Sequence, residues 1–327
     1  MLIRRLSVLR RELMTPRGLA ELSALAARDA IALRSLIRRR QIALVHSNTS
    51  VILSGAAGAA GARIPHVWHV REIYARFGRA WPAYRRVLGS AAALPCVSRA
   101  TAAQFGGHGR ARVIEDGLAV DPHRAPRQGA RTALGLSDDQ PAIAVLGRIS
   151  GWKGQDVLVR ALAEPALRER GVVGLLAGDP WAGAQERLTH VVELAARLGV
   201  SDRLRVLGFR EDLDNVLGAA DVIAVPSTAP DPLPGAAIEA AAAGCAVIAS
   251  AHGGLPEIIR DDETGRLVPP GDAGALARVA RELIDDAPQR ERLGSAASAD
   301  VRIRFAPGRL LDSIQGLYDE LLGGGAG

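Results

Sequence analysis

Short, nearly uninterrupted runs of apolar residues alternate along the chain with longer stretches whose apolar residues recur at helical spacing. Short apolar runs of this kind are typical of strands covered on both faces, as in parallel sheets flanked by helices. The sequence therefore predicts an α/β protein of βαβ units with parallel sheets. The predicted strands are 42–45, 66–70, 92–97, 112–114, 142–146, 172–177, 205–207, 222–225 and 246–249.

The chain has 327 residues, which is enough for two domains with full cores. A polar stretch rich in Pro, Arg and Gln at 121–141 predicts an interdomain linker, and the strand pattern restarts after it. We expect a first domain over 1–125 and a second over 126–309.

Charge divides unevenly between the two halves. Up to Ala125 there are 20 Arg and 7 acidic residues, and the remainder has 21 basic and 28 acidic residues. This asymmetry is typical of a surface for anionic partners, such as an acidic membrane leaflet or nucleic acid. A GC-rich coding bias also explains it, because Lys153 is the only lysine. Both explanations remain open.

Cys96 and Cys245 both lie in apolar segments, which predicts small buried core residues rather than a disulfide or a metal pair. The apolar stretches 50–62 and 235–250 are too short or too interrupted to span a bilayer. The first residues lack the apolar segment of a secretion signal. We expect a cytoplasmic protein.

The segment from Gly147 to Gly154 follows a predicted strand and contains Arg148 and Lys153. A loop with two cations between a strand and a helix suits a diphosphate, and the cations can neutralise charge on a departing phosphate. A lysine among forty arginines indicates a need for a compact ammonium group. The alternative is a solvated loop with ordinary charges.

A second segment, PDPLPGAAIEAAAAG, follows the strand that ends at Val225. Pro234 suits a helix start, and the N–H groups of Gly235 and Ala236 would point at an anion. Asp231 and Glu239 are eight residues apart, one in the loop and one in the helix, so we expect both to face one cleft. Asp231 suits sugar hydroxyls and Glu239 suits a ribose diol. The alternative for Glu239 is a surface glutamate, but its apolar neighbours favour a buried carboxylate that needs partners.

These segments, together with LAGDP, LGFREDLDNVLGAADVIAVPS and AHGGLPEII, resemble glycosyltransferase family four in order and spacing. The resemblance extends from Pro141 to the C-terminus and, more weakly, from about Leu33 to Gly117. It implies the GT-B fold, with two Rossmann-like domains and a nucleotide-diphosphate sugar bound between them. It also implies metal-independent transfer with retention of anomeric configuration.

By this resemblance, Arg148 and Lys153 hold the diphosphate, with Gly235 and Ala236. Asp231 and Glu239 match the E-x7-E motif of the family, with Asp in place of the first Glu. The base-binding segment corresponds to Phe209 and Arg210 and acts through backbone atoms. The Phe209 side chain is then expected to pack rather than to stack on the base.

In the first half, WHVRE places His69 where family members have a cleft histidine near the reacting sugar. The resemblance gives His69 a catalytic or sugar-positioning role, although a histidine at a strand end is also common as a structural residue. Arg71 and Glu72 either pair with each other or face the acceptor. His46 and Asn48 are expected to line the same cleft.

Asp212 and Asp214 spell D-x-D, which is a metal signature in another glycosyltransferase fold. Because they open a predicted helix at 213–220, we interpret them as helix-start residues. The sequence has no other cluster at metal-ligand spacing. We expect neither a metal nor a cofactor besides the donor substrate.

The chain departs from the family at its beginning, where a strand and a glycine-containing loop are expected. Residues 2–13 instead alternate Leu and Arg, a pattern that suits either an anionic membrane or a helix packed on a sheet. The resemblance therefore predicts a truncated first domain, lacking roughly 60 residues at about 30 per βα unit. Residues 310–327 contain a helix similar to the terminal helix of the family, which returns to the first domain.

The sequence thus predicts a retaining glycosyltransferase with a glycan or lipid-linked acceptor, possible contact with the inner face of an anionic membrane, and no nucleic-acid partner. The alternative is a non-catalytic relative that binds nucleotide-sugar or an anionic surface. An epimerase and a phosphorylase are disfavoured, because neither the acids of the first nor the cofactor lysine of the second can be placed.

Overall fold

The structure is a computed structural model that describes residues 15–323, except for the side chains of residues 16, 19, 75 and 76. The amphipathic pattern predicted at residues 2–13 lies outside the described residues, and so does the tail from Gly324. The chain divides into two compact units, Met1–Asp116 with Gly308–Gly327, and Gly117–Pro307. We call these the first and the second unit.

The described residues form fourteen α-helices and ten strands. In chain order the helices are α1 Pro16–Arg40, α2 Ser54–Ala62, α3 Trp81–Leu88, α4 Arg99–Ala103, α5 Arg127–Ala133, α6 Gln155–Ala163, α7 Pro165–Arg168, α8 Glu186–Arg197, α9 Leu213–Ala219, α10 Gly235–Ala242, α11 Leu255–Ile258, α12 Ala273–Asp285, α13 Ala287–Arg304 and α14 Pro307–Gly323. The strands are β1 Val45–Ser47, β2 His66–Trp68, β3 Leu94–Cys96, β4 Ala111–Val113, β5 Ala142–Leu146, β6 Val173–Ala177, β7 Leu204–Gly208, β8 Val222–Val225, β9 Val247–Ser250 and β10 Arg266–Val268.

The second unit contains a six-stranded parallel sheet in the order β10-β9-β8-β5-β6-β7. Strands β5, β6, β8 and β9 are buried along their whole length, as their apolar runs predict. Helices cover both faces and form two apolar clusters, one on each side of the sheet. The chain order reverses at β5, between β6 and β8, and loops that follow strands at such a point form ligand sites in open α/β sheets.

The first unit pairs β1 with β2 and β3 with β4, all in parallel. Bridges between Val67 and Ala93 and between Val70 and Cys96 connect the two pairs. The prediction of a strand at 42–45 was wrong in position, because Gln41 ends α1 in the left-handed conformation and the Ile42 N–H still bonds to the Ile37 carbonyl. The strand therefore begins at Val45.

The stretch 121–141 is not the free linker that its composition predicts. It contains α5 and packs within the second unit, where the Ala125 N–H bonds to the Asp214 carbonyl. The fully buried guanidinium of Arg131 donates to the carbonyls of Ser137, Gln140 and Ala219. Arg131 therefore satisfies buried backbone carbonyls, whereas most other polar residues of this stretch are exposed.

Cys96 and Cys245 are buried, free cysteines in different units, which confirms their prediction as core residues. Burial raises the pKa of both thiols, to about 12 for Cys96 and about 11 for Cys245, so both remain protonated at neutral pH. None of the helices within residues 15–323 is long and apolar enough to cross a membrane.

Candidate active site

Four loops of the second unit meet beyond the carboxyl ends of β5, β6, β7 and β8. The loops after β5 and β6 touch through their backbones, because a Cβ atom at residue 178 would lie 2.2 Å from the Gly147 carbonyl oxygen. No side chain fits at that distance, so Gly178 allows the loops after β5 and β6 to close against each other. They form one wall of a cavity of about 440 Å³.

This cavity gathers several of the residues predicted to bind the donor. The predicted residues among those lining it are Arg148, Phe209, Arg210, Ala236 and Glu239. Asp179 and Pro180, which follow β6, complete the wall and were not singled out by the sequence analysis. Both residues belong to the LAGDP segment, but their place in the cavity wall depends on the strand order.

Glu239 lies on α10 with its carboxylate folded back toward the start of the helix. Its Oε1 atom is 3.6 Å from the position that a Cβ at Gly235 would occupy. The side chain is half-buried, and within residues 15–323 its carboxylate has no hydrogen-bond partner. Burial raises its pKa above the ordinary value, because desolvation disfavours the charged form. A half-buried carboxylate of this kind is an acceptor that a ligand hydroxyl can satisfy.

Gly235 and Ala236 begin α10, as predicted, directly after Pro234. N–H groups in the first turn of a helix have no intrahelical partner and carry the positive end of the helix dipole. Ala236 lines the cavity, so this polar end faces the same space as Glu239.

Lys153 and Asp231 form an ion pair with 2.6 Å between Nζ and Oδ2. The Asp231 side chain is only 7% exposed, and neither residue is among those lining the 440 Å³ cavity. The prediction that Asp231 and Glu239 face one cleft is therefore wrong for the cavity that Glu239 lines. Asp231 turns to the lysine because the two loops, 78 residues apart in sequence, follow the neighbouring strands β5 and β8.

The segment at Gly253 and Gly254 fixes the backbone of Asp231. The Gly254 N–H donates to the Asp231 carbonyl at 2.7 Å, and a Cβ at residue 253 would lie 2.4 Å from the same oxygen. The double glycine was visible in the sequence within AHGGLPEII, but its contact with the Asp231 loop depends on tertiary structure.

The Arg148 guanidinium stacks over the Trp181 ring, 3.3 Å from its centroid. Trp181 is 62% exposed and was not predicted as a site residue. Phe209 is 71% exposed beside the cavity, so the expectation that it packs is wrong. It ends in solvent because its strand, β7, is at the edge of the sheet.

Arg210 pairs with Asp212 through two hydrogen bonds, with Nε 2.7 Å from Oδ1. These bonds and one from Asn215 lower the pKa of Asp212 to about 2. Asp212 precedes α9 as predicted, but it accepts from side chains rather than from helix N–H groups. The described residues contain no group of three His, Cys, Asp or Glu side chains arranged for a metal ion.

In the first unit, His69 is buried and stacks on His46, with ring centroids 5.5 Å apart. His46 Nδ1 is 2.6 Å from the hydroxyl of Tyr318 on α14. Within the described part of the chain, the Nε2 atoms of both histidines are buried without a partner. Burial lowers the pKa of His69 to about 4, assisted by His46 and Arg71. Both rings are therefore neutral at physiological pH. Asn48, which was predicted to line the same cleft, is exposed.

Arg71 and Glu72 do not pair with each other. Arg71 forms a two-pronged ion pair with Asp116, with 2.6 Å between Nη1 and Oδ1. Glu72 accepts hydrogen bonds from the Thr49 and Ser50 side chains and from the N–H groups of Ser50 and Arg71. Both side chains thus connect elements of the first unit, so the alternative of mutual pairing is wrong.

Comparison with known proteins identifies the family of the chain. Residues 127–300 match the family described as Glycosyl transferases group 1, and residues 5–121 match Glycosyltransferase Family 4. The D-inositol 3-phosphate glycosyltransferases of Saccharomonospora viridis and Mycolicibacterium smegmatis are 37% and 36% identical to the chain. These alignments cover 64% and 65% of the chain but 50% and 48% of those proteins. The chain therefore spans about half the length of the curated relatives it matches.

Among solved structures, HepE of Anabaena in complex with UDP and glucose is 26% identical, with a TM-score of 0.80 over 92% of this chain and 82% of that one. Sucrose-phosphate synthase of Thermosynechococcus elongatus is 25% identical, with a TM-score of 0.79 over 93% and 80%. These similarities confirm the predicted GT-B fold class.

Proposed function

Because the chain belongs to the family of glycosyl transferases group 1, we propose that it moves a sugar from a nucleoside diphosphate sugar to an acceptor hydroxyl, with retention of anomeric configuration and without a metal ion. The observation that carries this proposal is Glu239, a half-buried carboxylate without a hydrogen-bond partner among residues 15–323. It lines the same cavity as Arg148 and the start of α10.

Each polar group of the cavity suits one part of such a donor. Glu239 accepts hydrogen bonds from the two ribose hydroxyls, which offsets the cost of its burial. Arg148 and the N–H groups at Gly235 and Ala236 bind the diphosphate, since cations and helix starts both favour phosphate oxygens. Phe209, exposed at the rim, offers a ring face to the base, and Arg210 contacts it through its backbone.

Lys153 and Asp231 act together on the diphosphate and on the transferred sugar. The ion pair holds the ammonium group in place before the donor arrives, which lowers the entropic cost of ordering a flexible lysine. A phosphate oxygen then shares the ammonium, and Asp231 accepts from sugar hydroxyls.

In the transfer step, the acceptor oxygen bonds to the anomeric carbon on the face that the diphosphate leaves. The bond between that carbon and the phosphate oxygen breaks, and the hydroxyl proton passes to the departing phosphate. Lys153, Arg148 and the start of α10 stabilise the negative charge that develops on the diphosphate.

We assign the first unit a role in positioning hydroxyl groups. We assign this role to His69, because its ring is neutral and its Nε2 atom has no partner in the described part of the chain. Arg71 and Glu72 support this region through Asp116 and the Thr49–Ser50 segment rather than by contacting the acceptor directly.

Two measurements test the proposed function. UDP is the first nucleotide to try, because the similar HepE structure contains UDP and glucose. Calorimetric titration with UDP should give the same affinity with and without a chelator, and Glu239→Ala should weaken binding by about 30- to 100-fold. A large loss of affinity on chelation would contradict metal independence.

The second measurement is transfer from UDP-glucose to D-inositol 3-phosphate, the acceptor in the names of the curated relatives, and to a panel of glycan and lipid-linked acceptors. Formation of an α-linked product, with the configuration of the donor, supports retention. A β-linked product excludes it. UDP binding without transfer to any acceptor favours the non-catalytic alternative.

A further inference from the structure

The first unit contains a second polar cavity, of about 490 Å³, formed by the end of α3 and the turn before β4. Its basic side chains are those of Arg85 and Arg86, His108 lines it as well, and no carboxylate is among the residues lining it. We propose that this cavity binds the phosphate group of a small organic phosphate, free or in a lipid headgroup.

The location separates this cavity from the residues proposed for sugar transfer. Gly89 and Ser90 precede β3, and Gly106 to His108 precede β4, so the cavity lies at the amino-terminal edge of these strands. His69 follows β2, at the opposite, carboxyl-terminal edge of the parallel strands. The inference therefore does not depend on the proposed function.

The segment of the chain that forms this cavity carries only positive charges. From Ile73 to Ile114 the sequence has seven arginines and no Asp or Glu. Within residues 15–323, neither Arg85 nor Arg86 forms an ion pair with a carboxylate. Two guanidinium groups left without counter-charges attract an anion, and their planar forks match phosphate oxygens two at a time.

Arg85 and His108 approach the cavity from opposite sides. Arg85 reaches from α3 toward the turn, with Nη1 3.4 Å from the position that a Cβ at Gly106 would occupy. His108 reaches back, with Nε2 3.1 Å from the Cβ position at Gly89. Arg110 fixes the wall between them, because its Nη1 donates to the carbonyls of Gly89 and Ala91 at 3.1 and 2.9 Å.

The size of the cavity and its other lining residues indicate a ligand larger than inorganic phosphate. A volume of about 490 Å³ leaves room for an organic group beside the phosphate, and exposed Pro82 supplies apolar surface for it. The ligand class is therefore a phosphate ester with a small body, such as a glycerol phosphate.

The chain offers a matched control for the arginine pair. Arg38 and Arg39 are also adjacent, exposed and in the last turn of a helix, α1, but do not line this cavity. The variants Arg85→Gln/Arg86→Gln and Arg38→Gln/Arg39→Gln thus remove the same charge from the last turn of a helix. Both double variants leave the second unit unchanged, so any phosphate bound there contributes equally to all titrations.

Calorimetry with glycerol 3-phosphate should give equal affinities for wild type and Arg38→Gln/Arg39→Gln, and an affinity at least about tenfold lower for Arg85→Gln/Arg86→Gln. Sedimentation with phosphatidic acid vesicles, compared with phosphatidylcholine vesicles, tests the lipid source. Binding only to the acidic vesicles, lost only in Arg85→Gln/Arg86→Gln, assigns the cavity to a headgroup. Equal losses in both double variants, or wild-type protein binding neither probe, would overturn the proposal.

A second pair of variants leaves both arginines in place. Ser90 is an exposed cavity residue, so Ser90→Asp introduces a carboxylate and Ser90→Asn introduces a neutral side chain of the same shape. Repulsion should weaken phosphate binding at least about tenfold in Ser90→Asp relative to Ser90→Asn. Equal binding by these two variants would contradict a phosphate in this cavity.

Discussion

Lys153 and Asp231 are 78 residues apart in sequence, and their side chains meet with 2.6 Å between ammonium nitrogen and carboxylate oxygen. Asp231 is almost fully buried, and the Gly254 N–H holds its carbonyl. The backbone of Asp231 therefore stays in place when the lysine is removed, and its carboxylate remains largely shielded from solvent. The pair joins the loop after β5 to the loop after β8, so one contact links the diphosphate-binding and sugar-binding segments proposed above.

Lys153→Ala should destabilise the protein as well as strongly reduce turnover. It leaves a nearly buried carboxylate without its cation, which should lower the free energy of unfolding by about 2 kcal/mol. The double variant Lys153→Ala/Asp231→Ala should regain most of that stability, because no unpaired charge remains. Neither variant should recover activity, with kcat/KM about 100-fold below wild type. Urea unfolding and sugar-transfer rates measure the two effects separately.

Lys153→Arg is the matched control for that experiment. It keeps the positive charge near Asp231, so stability should change little, but its planar fork cannot reproduce a compact ammonium and turnover should fall. Wild-type turnover in Lys153→Ala would show that the lysine has only a structural role.

Glu239→Gln should make the protein more stable at neutral pH. Burial raises the pKa of Glu239 in the folded state, so the ionised carboxylate costs stability once the pH exceeds its ordinary value. The amide removes that cost, and its advantage should disappear as the pH falls below about 4.5 and the carboxyl takes up its proton. Thermal unfolding of both proteins at pH 7 and pH 4 checks this sign, and an unchanged Tm at pH 7 would contradict it.

Trp181→Ala and Phe209→Ala should separate phosphate recognition from base recognition. Trp181 stacks on Arg148, so its loss should weaken UDP and pyrophosphate equally, by about two- to fivefold for an exposed cation–π contact. Phe209 has its ring free at the cavity rim, so its loss should weaken UDP but not pyrophosphate. Calorimetric titration of both ligands against both variants provides the comparison. Equal loss of both ligands in Phe209→Ala would assign that ring to the phosphates.

Stability should fall between pH 6.5 and pH 4 because of two buried histidines. Burial lowers the pKa of His66 and of His69 to about 4, so the unfolded chain takes up protons in this range that the folded chain excludes. Each histidine should contribute up to about 3 kcal/mol at the acid end. His69→Asn should reduce the slope of unfolding free energy against pH, because it removes one of these two buried groups. An unaltered slope in His69→Asn would show that the ring titrates normally.

Much of the second unit could be predicted from local pattern. The runs at 142–146 and 222–225 are strands over those residues, since strands buried on both faces leave a continuous apolar signature. The starts of α9 and α10 were also predictable, because aspartate is favoured at a helix start and proline has a φ angle that suits one. The sequence did not predict β10, because this strand has only three residues, Arg266–Val268, at the edge of the sheet.

The partners of the site residues depended on tertiary structure. The sequence indicated candidate binding or catalytic roles for Lys153, Asp231, Arg71 and His46. It did not indicate which side chains they contact. Asp231 meets Lys153 because β8 is hydrogen-bonded beside β5, and His46 meets Tyr318 because α14 packs in the first unit. The sequence by itself determined the elements and the residue types at their ends, since both depend on neighbours within a few positions. Strand order and helix packing decided which charges neutralise each other and which remain free for a ligand. The reason is that an ion pair forms between those side chains that the fold brings within about 4 Å.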